Sequence, residues 1–159
     1  MRAFTTTATD EAGTAALARA VASVLPQSMV IGLIGTLGAG KTRFVQALAQ
    51  AAGIDESAVL SPTFVLVQEY PGPQPIYHFD AYRLKDEDEF RELGCDEYFA
   101  AAAWSVVEWA DRVADCLPED RLVIRIDVIG PSERRFEISG TGPQSEQVVS
   151  RLLQSSARS

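Results

Sequence analysis

The sequence predicts one α/β domain, a mixed central β-sheet flanked by helices. Three observations lead there. The apolar run MVIGLIG passes through a glycine-rich turn into a stretch with helical periodicity, the order of a parallel strand–loop–helix unit. Two later pairs of strand-like segments are joined by connections so short that each pair must be antiparallel neighbours. Finally, 159 residues is the length of a single domain, 1–159, able to bury about 68–70% of its unfolded surface without a disulfide or metal.

Each element follows in order. A short strand is expected at Ala3 to Thr5. Then AGTAALARAVASVL places Leu17, Val21, Val24 and Leu25 on one helical face, with Thr9 or Asp10 as cap. Residues 29–35 form a strand apolar on both faces. From Lys41, Phe44, Ala47, Leu48 and Ala51 recur at helical spacing, and Gly53 ends the run. Phe64 to Tyr70 and Ile76 to Asp80 read as strands joined by PGPQP. KDEDEFRELG reads as an exposed helix closed by glycine, Asp96 to Ala103 as a second helix, and SVVE as a buried strand. RLVIRIDVIG and RRFEISG make another hairpin, turned by Gly130 and Pro131. Val148, Val149, Leu152 and Leu153 mark a closing helix, and the last residues, about 155–159, are expected to fray.

Composition narrows the function. With 14 basic against 22 acidic residues the net charge is −8, whereas proteins that grip nucleic acid unaided present a basic surface. If nucleic acid is involved, a partner holds it. Cys95 and Cys116 have no CxxC spacing and the chain has a single histidine, so reduced structural thiols are expected rather than a zinc site or a disulfide framework. The N-terminus lacks an apolar signal region and no window is long enough for a membrane span, which predicts a cytoplasmic protein.

Gly35-Thr-Leu-Gly-Ala-Gly-Lys41-Thr42 satisfies G-x4-G-K-[ST], the phosphate-binding loop of P-loop NTPases. Its glycines let successive N–H groups turn inward around phosphates, and the helix starting near Lys41 adds its positive end. Lys41 is expected to reach the β- and γ-phosphates of a bound nucleotide, and Thr42 to ligate Mg²⁺. Such a site needs a carboxylate near the metal, usually at the end of an apolar strand. Asp80, ending IYHFD, and Glu108, ending SVVE, both qualify. Strand alternation puts Ile76, His78 and Asp80 on one face, leaving His78 open between a core histidine and a catalytic one. Thr63, in SPTF, is either a turn residue or a sensor of the γ-phosphate. The D-x-x-G spacing at 127–130 lies too late for a GTPase and no N-K-x-D follows it. A small-molecule kinase would need a basic lid, and Arg83, Lys85 and Arg91 are scattered among acids.

LGAGKT at 37–42, SPTFVLVQEY at 61–70, YHFDAYRL at 77–84 and VEW at 107–109 together resemble the TsaE family of bacterial ATPases, in order and spacing over nearly the whole chain. The resemblance implies a slow Mg²⁺-dependent ATPase required for the threonylcarbamoyladenosine modification of tRNAs that read ANN codons. It would act on a complex of TsaD and TsaB, which hold the tRNA, so that this protein meets tRNA only indirectly. By position, Leu37, Gly38, Ala39, Gly40, Lys41 and Thr42 would bind phosphates, and Thr42 with Glu108 would hold Mg²⁺. Asp80 would serve hydrolysis, Trp109 would lie near the nucleotide, and Glu11 and Thr14 would lie by the base. Thr36, Arg43 and Ala110 stand where the family more often has an acid, a second Thr and a Pro.

Overall fold

The computed structural model describes residues 3–36, 38–55, 67–82, 84 and 86–157. Their strands form one seven-stranded sheet: β1 Ala3–Ala8, β2 Met29–Gly35, β3 Val67–Tyr70, β4 Ile76–Asp80, β5 Trp104–Glu108, β6 Leu122–Val128 and β7 Arg134–Gly140. The spatial order is β1-β7-β6-β2-β5-β4-β3. The inner strands β6, β2, β5 and β4 run parallel, and antiparallel pairs β1–β7, β7–β6 and β3–β4 complete the edges. The expected mixed sheet and both hairpins are therefore present. β2 lies at the centre, which explains its unbroken apolar run: Met29, Val30, Ile31 and Leu33 are all buried.

One face of the sheet packs against α1 Glu11–Val24, α2 Lys41–Ala51 and α5 Pro143–Ala157, around Ile31, Leu33, Val106, Ile124, Phe44, Leu48 and Val149. The other face packs Val30, Phe79 and Val107 against α3 Glu87–Arg91, α4 Cys95–Ala100 and a 3₁₀ segment, Ala110–Cys116. Asp10 caps α1, accepting from the Gly13 N–H at 2.9 Å. The apolar face of α2 shifts slightly from the expected one: Val45 and Ala49 are buried and Ala51 is exposed.

Several boundaries differ from the sequence expectation. β1 runs on to Ala8, because it pairs residue by residue with β7 from Ser139 back to Arg134, where its β-branched threonines suit the sheet. Of the strand expected from Phe64, residues 64–66 lie outside the described residues. The acidic helix shrinks to the five residues of α3, anchored by fully buried Phe90 against Phe79 and Phe99. The second helix stops at Ala100 instead of Ala103, since Ala103 O accepts from Met29 N and Trp104 begins β5. Ser155 and Ser156, expected to fray, continue α5. Cys95 and Cys116 are both free thiols. No helix among the described residues is long and apolar enough to cross a membrane.

The start of α5 is pinned from a distance. Pro143 opens the helix without a wasted donor, and Asp120, before β6, accepts from Gln144 N at 2.8 Å, Ser145 N at 3.0 Å and Ser145 Oγ at 2.6 Å. Burial acts to raise the Asp120 pKa, but these hydrogen bonds outweigh it and hold the carboxyl below its ordinary value. A carboxyl depressed on folding stabilises the native state above its unfolded pKa, about 4, and that contribution fades as pH falls through the folded value. Replacing Asp120→Asn should therefore lower the neutral-pH melting temperature by about 2–4 °C, the effect of a lost helix cap of about 1 kcal/mol. In calorimetric melts repeated downward from pH 7, the gap between variant and wild type should close below about pH 4.

Candidate functional site

Three parallel strands end side by side at the site. In register, Leu33 of β2 faces Glu108 of β5, which in turn faces Asp80 of β4. β2 continues into the phosphate-type loop, and α2 leaves it at Lys41. Ligands of open α/β sheets sit at these carboxyl ends of strands. Gly38 and Gly40 take φ of 80° and 100°, a left-handed conformation that strains residues with a Cβ. Gly40 therefore opens α2 with no side-chain cap, leaving its first N–H groups directed at the loop. Leu37 lies outside the described residues.

Lys41 is only 5% exposed. Its ammonium donates to the carbonyls of Gly35 at 2.8 Å and Thr36 at 2.9 Å, and lies 4.0 Å from the centre of the Trp109 ring. Burial lowers its pKa, against the opposing fields of Glu108, Asp80 and Asp111. Thr42 Oγ1 donates to the Glu108 carboxylate, 3.3 Å from Oε1 and 3.2 Å from Oε2. A hydroxyl and a carboxylate brought together at a helix start are hard oxygen donors of the kind Mg²⁺ takes, and Mg²⁺ ordinarily completes its shell with phosphate oxygens and water. These residues fit the ion. Among the described residues no three His, Cys, Asp or Glu side chains cluster into a metal cage.

Asp80 is nearly buried and its Oδ1 accepts from Tyr82 N at 2.9 Å, while Ala81 N donates to Glu108 O. The turn after β4 is thereby tied to the end of β5. Trp109, next after Glu108, holds φ 61°, costing roughly 1–2 kcal/mol. That backbone directs its ring between the Lys41 ammonium and the exposed Tyr82 ring, whose centroid is 4.8 Å away.

On the far side of the loop is a cavity of about 490 Å³ lined by Asp10, Glu11, Thr14, Ala39, Gly40, Arg43, Pro131, Ser132, Arg134 and Phe136. Glu11 and Thr14 are thus placed beside the loop. Arg43 lies 3.6 Å from Glu11 across this cavity and 3.4 Å from Gln46. Thr63 lies outside the described residues, and Asp127 of the D-x-x-G pattern pairs with Arg125, its Nε 3.6 Å from Oδ1.

Some site residues were missed in the sequence. Arg134 Nε donates to Ala39 O at 3.2 Å, and its Nη1 donates to Gly130 O and Glu133 O, bracing the loop from β7. Strand alternation places Arg134 on the face of Phe136, which packs on Phe44, so a signal existed. Pro131, read only as part of a hairpin turn, and Ser132 also line the cavity.

The family model for the threonylcarbamoyl adenosine biosynthesis protein TsaE matches residues 8–136. Over 140 residues the chain is 40% identical to the tRNA threonylcarbamoyladenosine biosynthesis protein TsaE of Bacillus subtilis, covering 87% of each chain. It is 40% identical over 135 residues to the protein of the same name from Streptomyces coelicolor, spanning 79% of this chain and 89% of the other. Among solved structures, YdiB of Bacillus subtilis superposes with a TM-score of 0.82 at 31% identity, over 98% of this chain and 97% of that one. The α/β frame is thus shared with YdiB, and the chain belongs to the TsaE family of tRNA threonylcarbamoyladenosine biosynthesis.

Proposed function

We propose that this protein is a slow, Mg²⁺-dependent ATPase that acts in the cytoplasm on a TsaD–TsaB complex during threonylcarbamoyladenosine modification of tRNA. The observation that carries the proposal is the meeting of Lys41 and Thr42 with Glu108 and Asp80 at the ends of adjacent parallel strands. Lys41 would leave the carbonyls of Gly35 and Thr36 for the β- and γ-phosphates, because an anionic oxygen is the stronger acceptor. Thr42 and Glu108 would hold Mg²⁺, with Asp80 beside them to orient the attacking water. The chemistry the ion supplies when bound is neutralisation of charge on the phosphate oxygens. The base would enter the cavity by Glu11 and Thr14, with Trp109 on the opposite side of the phosphates.

A net charge of −8 supports a division of labour in which partners grip the tRNA. A small-molecule kinase finds no comparable support. Of the three basic residues considered for a lid, Arg91 is engaged by Glu87 and Asp88, and Arg83 and Lys85 lie outside the described residues.

Lys41→Ala should weaken ATP binding by roughly 10- to 100-fold or more, the loss of charge-assisted bonds of about 1.5–3 kcal/mol. Asp80→Ala should bind ATP normally and lose about 100-fold in turnover. Calorimetric titration with ATP and a phosphate-release assay read these separately, and normal turnover in Asp80→Ala would remove that residue from the chemistry.

Adding TsaB and TsaD should accelerate phosphate release by the wild type. Unchanged turnover with the partners, together with normally modified tRNA in cells lacking this protein, would defeat the proposal. Transfer of labelled phosphate to a metabolite rather than to water would establish the kinase instead.

A further inference from the structure

His78 is the only histidine in the chain and is completely buried. It lies on β4 two residues before Asp80, on the same face, opposite Val106 of β5. Its Nε2 is 2.5 Å from Glu108 Oε2. An ionised carboxylate only accepts, so Nε2 carries the proton and donates. On the other side of the ring, Nδ1 is then the acceptor and takes the proton of the Tyr70 hydroxyl, 3.1 Å away. A line of hydrogen bonds therefore runs from Tyr70 on β3 through His78 to Glu108, all three buried, and on to half-buried Thr42.

The geometry of this line has a consequence for Glu108. Its carboxylate is 5% exposed and lies beside a lysine whose field also pulls on it. With one oxygen bound to His78 and the ring itself anchored at Nδ1, the carboxylate is held in one rotamer facing the Thr42 hydroxyl. We propose that His78, steadied by Tyr70, is a positioning residue that fixes the Glu108 carboxylate for the divalent cation carried by a bound nucleotide. The inference rests on the ATPase reading of the site and adds to it a residue that touches neither nucleotide nor metal.

Binding of ADP is measured by calorimetry with Mg²⁺ and again in EDTA, which separates the metal-dependent gain in affinity from nucleotide binding itself. His78→Asn keeps a polar group near Tyr70 but cannot reach Glu108. His78→Gln places an amide N–H where Nε2 lies. The Asn variant should lose about tenfold of the Mg²⁺-dependent gain, the value of one hydrogen bond to a charged group. The Gln variant should stay within about threefold of wild type, and affinity in EDTA should be unchanged in both.

Equal losses in Asn and Gln, or no loss in either, would overturn the positioning role. Tyr70→Phe, which removes only the hydroxyl behind Nδ1, should lose about threefold of the same gain even if His78→Asn fails to fold. An unchanged gain in that variant would likewise overturn it. A wild type that binds no ADP in either condition would instead defeat the ATPase reading.

Discussion

A carboxylate that is nearly sealed from water must be paired from every side, because an uncompensated charge in the interior costs several kcal/mol. At Glu108 the pairing comes from three groups in two parts of the chain. Thr42 reaches it from the first turn of α2, His78 from β4, and the Lys41 ammonium contributes an opposing charge. None of these groups is close to Glu108 in sequence, so the pairing exists only when β2, β5 and β4 are neighbours in the observed register. A slip of β5 by one residue would send Glu108 to the opposite face, among the side chains that pack with Val107. The site and the sheet therefore enforce one another: the arrangement that gathers hard oxygen donors also discriminates against mispaired strands.

The same crowding explains the resting state of Lys41. A buried ammonium without a phosphate still needs acceptors, and the carbonyls of Gly35 and Thr36 are what the loop itself offers. Neutral carbonyls are weaker acceptors than phosphate oxygens, so the lysine is held without being trapped. Trp109 closes the other side. Its strained φ is tolerated because the ring gains two partners at once, the Lys41 ammonium and the Tyr82 ring. Tyr82 in turn receives Arg112, whose Nη1 donates to its carbonyl at 2.6 Å. Strain at one backbone position thus links the loop lysine to an aromatic–arginine pair at the surface.

The parts of this architecture that were legible in the sequence are those whose signal is local. The strand, loop and helix from Met29 to Ala51 combine an apolar run, obligatory glycines and a 3.6-residue period. Asp80 and Glu108 stood out because each ends an apolar strand, a position that makes sense only at a sheet's carboxyl edge. The 3₁₀ segment left no comparable mark, since its two buried side chains, Ala110 and Val113, repeat only once. Ala101 to Ala103 carry strong helix propensity but are overruled by the backbone bond from Met29 and by Trp104, whose indole N–H donates to Pro26 O. The line from Tyr70 to Glu108 was invisible for a different reason. It crosses three strands, and a cross-strand contact cannot be read before the strand order is known.

That strand order also resolves an apparent conflict between the charge of the chain and the charge of its proposed ligand. A protein with a net charge of −8 repels a nucleotide at long range, but in physiological salt that field fades over about 8 Å. What the phosphates would meet at close range is set by the residues around the loop. There the topology brings together Lys41 at the start of α2, Arg43 two residues on, and Arg134 from β7 bonded to the loop at Ala39, with Glu11, Asp80 and Glu108 beside them. The acids of α3 and its neighbours lie on the opposite face of the sheet. A phosphate at the loop would thus meet cations held in place by the acids they pair with, while the acidic helices of the other face stay behind the sheet.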